Sequence, residues 1–89
     1  MKIITFSPLF QKQIEKIKKK DCKLFIKFQK QLGMFQSDPN HASLRLHKLK
    51  GELQNVWSLS IDLNVRVLFI SDDKYYFFNI GSHEQVYKK

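Results

Sequence analysis

The sequence predicts an α+β fold: an N-terminal strand, a two-helix hairpin and then a three- to four-stranded antiparallel sheet, with residues 1–89 forming one domain. Three observations predict it. Apolar residues recur at helical spacing in the first third of the chain, short β-branched and aromatic runs fill the last third, and a polar segment rich in turn formers separates them. Helices followed by strands in this order pack as a helical layer on one face of a sheet.

Residues Lys2 to Phe6 read as the first strand. They stop at Ser7-Pro8, where the serine suits a helix cap and the proline its first turn. Phe10, Ile14 and Ile17 then fall on one helical face, with Lys12, Glu15, Lys16, Lys18 and Lys19 around the rest, and this helix ends near Lys20. A second helical pattern carries Leu24, Phe25, Phe28 and Leu32 on one side and Lys23, Lys27 and Lys30 on the other, with Gly33 as its C-terminal stop. Met34 to Ser43, with Ser37-Asp38-Pro39-Asn40 inside it, reads as an irregular loop.

Leu44, Leu46 and Leu49 alternate with Arg45, His47, Lys48 and Lys50, which fits either a short strand or an extended lead-in ending at Gly51. Val56 to Ile61, Val65 to Ser71 and Tyr75 to Ile80 are three strands, joined through Asp62-Leu63-Asn64 and Ser71-Asp72-Asp73-Lys74 as an antiparallel meander. The helices supply Phe10, Ile14, Phe25, Phe28 and Leu32 to the core, completed by Trp57 or by Phe69 and Phe77. The other sheet face, or one edge, is left for binding.

With 43% hydrophobic and 13% aromatic residues, the 89-residue chain has enough apolar area for one modest core and is not a disordered polymer. Sixteen Lys and Arg against eight Asp and Glu give a net charge of +8, a field that attracts polyanions: nucleic acid, a ribosome surface or an acidic protein. No apolar run approaches the roughly 18 residues of a spanning helix. Cys22 is the only cysteine, so no internal disulfide forms, and with no signal-peptide pattern at the N-terminus a cytoplasmic location is expected. The three histidines and one cysteine show no close ligand pair, and no metal or other cofactor is expected.

Four residues of the strand-rich half carry the chemistry of a phosphodiester site: His47, Arg66, His83 and Tyr87. Arg66, on the open face of a central strand, offers a rigidly mounted fork to a phosphate; the alternative is a surface arginine paired with Asp62 or Glu84. His47 is either a proton carrier or part of a solvated basic loop with Arg45, Lys48 and Lys50, which suit RNA phosphates. His83 follows Gly81-Ser82 beyond the last strand. Tyr87 either stacks on a base or closes the core. His41, in the polar loop, reads as exposed.

Leu44-Arg45-Leu46-His47-Lys48-Leu49-Lys50-Gly51, then Val56-Trp57-Ser58, then Val65-Arg66-Val67-Leu68-Phe69, then Ile80-Gly81-Ser82-His83-Glu84-Gln85-Val86-Tyr87 resembles the RelE/ParE superfamily of toxins, with the YafQ-like branch nearest. The resemblance implies a RelE-like fold and the toxin of a type II toxin-antitoxin pair, binding a cognate antitoxin in a hetero-oligomer. It also implies an endoribonuclease that acts without a metal on mRNA at the ribosome. In that pattern His47 precedes a Leu-x-Gly turn, Arg66 is the strand arginine, His83 follows Gly-Ser and Tyr87 is the closing aromatic. The chain departs from the branch at Ser60 and Asn64, which stand where related enzymes carry an acid/base histidine and aspartate; Asp62 is a nearby substitute. A ParE-like inhibitor of DNA gyrase that cuts nothing is the alternative.

Overall fold

Ser7 and Asp21 set the boundaries of two consecutive helices. In the computed structural model, which describes residues 3–51 and 55–82, helix α1 spans Pro8–Lys20 and α2 spans Cys22–Ser37. The Ser7 hydroxyl accepts from the Phe10 amide at 3.0 Å, and the Asp21 carboxylate accepts from the Leu24 amide at 3.1 Å. Each satisfies an amide that a helix start leaves without an intrahelical partner. The backbone N–H of Asp21 also closes α1 on the Ile17 carbonyl. One residue thereby ends the first helix and begins the second, which makes the hairpin.

The strands are β1 (Ile4–Phe6), β2 (His47–Lys48), β3 (Val56–Ser60), β4 (Val65–Ser71) and β5 (Tyr75–Ser82), ordered β1-β5-β4-β3-β2 in one sheet. β2 to β5 pair antiparallel, as the meander pattern predicts, and β1 joins the β5 edge in parallel with Phe6 beside Phe77. A short first strand can lie there because α1 and α2 carry the chain back before the sheet resumes. Between β4 and β5 the register shifts at Leu68 and Phe69, leaving Phe78 as an extra residue in β5. Beyond the end of β1, α1 covers the exposed β5 edge: Gln13 Oε1 accepts from the Ile80 amide at 3.2 Å, and Gln13 Nε2 donates to Asn79 Oδ1 at 3.0 Å. One glutamine side chain stands in for a missing strand, blunting an edge that would otherwise pair with another chain.

The core lies between the helix pair and one sheet face, and it is built from phenylalanine rings. Phe10, Phe28, Phe35, Phe69 and Phe77 are all buried. Phe10 meets Phe77 edge-on at a centroid separation of 5.7 Å, and Phe35 meets Phe69 and Tyr75 at 5.3 and 4.7 Å. Burying each such side chain contributes about 1.5–3 kcal/mol, and tilted ring pairs add to it. Of the expected core, Ile14, Phe25, Leu32 and Trp57 pack against it half-buried, while Phe69 and Phe77 are fully inside.

One expectation is corrected and one open reading is decided. Gly33 does not stop α2, which continues to Ser37. Phe35 explains the difference, because its burial against the sheet outweighs the weak helix preference of one glycine. Of the two readings of the segment before Gly51, the short strand is present, limited to His47–Lys48 and preceded by a 3-10 turn at Ala42–Leu44. Leu44 is completely buried, and Arg45 follows with a left-handed backbone at φ 46°, which breaks the strand alternation.

Nothing lies within 4 Å of a Cβ built on Gly33. Gly33→Ala therefore gains helix propensity without a clash and stabilises the fold by about 0.5–1 kcal/mol, a rise in Tm of a few degrees. Thermal unfolding followed by circular dichroism checks it; an unchanged or lowered Tm would show that α2 is not helical through residue 33.

Candidate functional site

Side chains alternate along a strand, and directly paired residues share a face. Val67 and Phe69 of β4 and Leu59 of β3 lie in the core. Arg66, Leu68 and Ile70 therefore occupy the face turned away from the helices, together with their partners Ser60, Ser58 and Val56 on β3. His47 pairs with Ser58, and Gly81 pairs with Arg66. His47 and Arg66 thus share one face, two strands and two residues apart, about 12 Å between Cα atoms from sheet spacing. The middle of this face is not open, since Ser58, Ser60, Val56 and Leu68 are all buried; exposure is greatest at the β2 edge, where Arg45, His47, Lys48 and Lys50 are solvated.

Arg66 is half-buried and fixed by the turn between β3 and β4. Its Nη1 donates to Ser60 Oγ at 2.9 Å and to the Asp62 carbonyl at 2.8 Å. The Ser60 hydroxyl in turn donates to the same carbonyl at 2.8 Å. Among the described residues nothing bonds to Nη2 or Nε, the edge of the guanidinium that takes a phosphate or carboxylate in bidentate fashion. Asp62, which the alternative reading pairs with Arg66, meets it through its backbone carbonyl and not its carboxylate.

The Asp62 carboxylate has other partners. Oδ1 accepts from the amides of Asn64 and Val65, both at 2.8 Å, and Oδ2 meets Lys27 Nζ at 3.3 Å. Partial burial pushes this carboxyl up, but the two amides and the lysine outweigh it and hold it below the ordinary aspartate range. A carboxylate so satisfied is a poor proton acceptor, so Asp62 does not replace a missing base. It builds the turn. Gln31, one helical turn beyond Lys27, donates to the carbonyls of Ser60 at 2.9 Å and Ser43 at 3.1 Å, tying α2 to the end of β3 and to the 3-10 turn.

Sequence reasoning named Arg66 and His47 as candidates and did not give Ser60, Asp62 and Gln31 the contacts they make here. The Asp62-Leu63-Asn64 turn signal marks the turn, yet nothing in periodicity says that its carbonyl will hold an arginine. His83 and Tyr87 lie outside the described residues. His41 is exposed as expected, and its Nδ1 accepts from the Ser43 amide at 3.1 Å, capping the 3-10 turn. Among the described residues no three His, Cys, Asp or Glu side chains gather closely enough to hold a metal ion, and no helix is long and apolar enough to cross a membrane.

No family model matches the chain, and no curated protein does. Solved structures do match it over nearly its whole length. YafQ from E. coli strain BL21(DE3) superposes with a TM-score of 0.75 at 17% identity, covering 98% of this chain and 99% of that one. The YoeB dimer from Staphylococcus aureus gives 0.72 at 23% identity, over 92% and 97%. The E. coli DinJ-YafQ toxin-antitoxin complex gives 0.71 at 20% identity, over 97% of each chain. At these identities the likeness is one of fold, and it is the RelE/ParE toxin fold that the sequence motifs led us to expect.

The Asp62 geometry has a pH signature. A carboxyl lowered in the folded state contributes stability above the unfolded aspartate pKa of about 3.9, and that contribution is lost as pH falls through the lower folded value. Asp62→Asn is expected to destabilise the protein by about 1 kcal/mol at neutral pH, with the gap to wild type closing as pH falls below the ordinary aspartate range. Urea unfolding at neutral and at acid pH measures this. A gap that stays constant with pH would mean the carboxylate does not carry the turn.

Proposed function

We propose that this chain, as a single domain, is the toxin of a type II toxin-antitoxin pair and a ribosome-dependent mRNA endonuclease. The observation that carries the reading is the Arg66 guanidinium. It is half-buried, held by one nitrogen and unengaged on its Nη2 and Nε edge among the described residues, on the sheet face that also bears His47. A cation fixed in this way stabilises charge that develops on a phosphate, with no reorganisation needed at the moment of reaction. The fold shared with YafQ and YoeB and the net charge of +8 support the same reading.

The reaction is attack of an RNA 2′-hydroxyl on the adjacent phosphorus. The O2′–P bond forms, the P–O5′ bond breaks, and the products are a 2′,3′-cyclic phosphate and a free 5′-hydroxyl. One proton leaves the 2′-oxygen and another is delivered to the 5′-oxygen. His83 and His47 are the proposed proton carriers, Arg66 holds the pentacoordinate phosphate, and Tyr87 positions the phosphate or the base. Ser60 stands where related enzymes place a histidine, and Asp62 is held by its turn, so proton transfer falls to the two histidines. Arg45, Lys48 and Lys50 line the β2 edge and attract the RNA backbone. No cofactor enters the scheme. The ribosome supplies orientation, worth much of the barrier when catalytic groups are few.

The partner proposed is a cognate antitoxin. YafQ is seen in complex with DinJ, and YoeB from Staphylococcus aureus with YefM. Such a partner covers a basic surface by charge and by apolar anchors, in the cytoplasm where translation takes place.

Primer extension on translated mRNA tests the proposal. Wild type is expected to leave discrete cuts that fall about 100-fold or more in Arg66→Ala and in His83→Ala, with unchanged circular dichroism. Intact mRNA together with inhibited supercoiling by DNA gyrase would reject cleavage and select the ParE-like reading.

A further inference from the structure

The lead-in to β2 builds a cleft at the sheet edge, and of its lining the cleavage scheme uses only Arg45. Asn40, His41, Ala42, Arg45, Leu46 and Trp57 line it, and its volume is about 440 Å³, within the roughly 300–1,000 Å³ range of small-molecule sites. Its aromatic wall is Trp57, half-buried against the core. The indole Nε1 donates to Asn55 Oδ1 at 2.9 Å, and Asn55 Nδ2 donates to the Ser71 carbonyl at 2.8 Å. The ring is thereby fixed in orientation before any ligand arrives.

His41 supplies a second wall. Its Nδ1 meets both the Ser43 amide at 3.1 Å and the Ser43 hydroxyl at 2.8 Å; with Nδ1 accepting from the amide, Nε2 is the ring nitrogen left to donate. Arg45 is exposed and sits at φ 46° and ψ 48°. Left-handed backbone strains a non-glycine residue in a way that a glycine would avoid. The strained residue is also the cation that lines the cleft, and strain of this kind gathers at ligand sites.

A fixed indole, a guanidinium and an imidazole N–H suit a ligand with a flat π face, hydrogen-bond acceptors and negative charge. A nucleotide has all three, whereas an acidic peptide brings charge without the flat face. We propose that this cleft is a nucleotide subsite in which a base packs against Trp57 and its phosphate is held by Arg45. That the nucleotide belongs to RNA rests on the cleavage reading. Trp57 alternates with Ser58, the partner of His47, so the cleft lies around the β2 edge from the face that bears His47 and Arg66.

Trp57 is the only tryptophan, so its emission and its indole N–H resonance report on the cleft alone. The full chain is titrated with adenosine 5′-monophosphate, and separately with adenosine and with inorganic phosphate, exciting at the red edge where bases do not absorb. The expected result is a saturable change with the nucleotide, weaker by about tenfold with adenosine. The same loss is expected in Arg45→Ala and in Arg45→Gly, the latter keeping the left-handed backbone without strain and so guarding against misfolding. No saturable change, an equal change with inorganic phosphate, or unaltered binding in both Arg45 variants would each overturn the subsite. Nucleotide binding by a protein that leaves mRNA intact would support the cleft while rejecting the cleavage reading, and Arg66-dependent cleavage by a protein blind to the nucleotide would do the reverse.

Discussion

The turn between β3 and β4 depends on Asp62, and much of the structure depends on that turn. The Asp62 carboxylate satisfies two amides that close the turn and meets a lysine of α2, while its carbonyl receives both the Ser60 hydroxyl and the Arg66 guanidinium. The helix contact is itself weak, since Lys27 is largely solvated. Gln31 reinforces it from one helical turn away with two hydrogen bonds in a buried setting, where each is costly to leave unmade. Helix, turn and strand arginine are therefore registered against one another by polar groups, on top of the nonspecific attraction of the aromatic core.

Most of the fold was legible because its physics is local. Ser7-Pro8 gave the first helix start, period-3.6 spacing gave both helices, and β4 was bounded at Val65 and Ser71 by its own composition. The end of α2 was not legible at Gly33, because Phe35 finds its partners on β4 and β5, more than thirty residues away in the chain. Nor was the 3-10 turn before β2, where the burial of Leu44 and the left-handed Arg45 override an alternating pattern. Contacts of this kind are set by tertiary packing, which a window of sequence cannot contain.

The site was half legible. Arg66 and His47 are recognisable as residue types that handle phosphate and protons, and the register of β2, β3 and β4 brings them to one face. Asp62 reads from sequence as a spare carboxylate, and only the geometry shows it to be committed to backbone amides. Ser60 likewise reads as the loss of an acid/base group; in place it holds Arg66. Trp57 reads as a core residue, and its fixed indole also forms the wall of a cleft at the basic edge.

The central claim is that Ser60 and Asp62 immobilise Arg66 through Nη1, with its other edge unengaged among the described residues. Nitrogen-15 NMR of the Arg66 side chain tests this, since a guanidinium held through Nη1 rotates slowly about its Nε–Cζ bond and so shows separate Nη1 and Nη2 signals. Slow rotation in wild type that averages in Ser60→Ala is the predicted result, and averaged signals in the folded wild-type protein would contradict it.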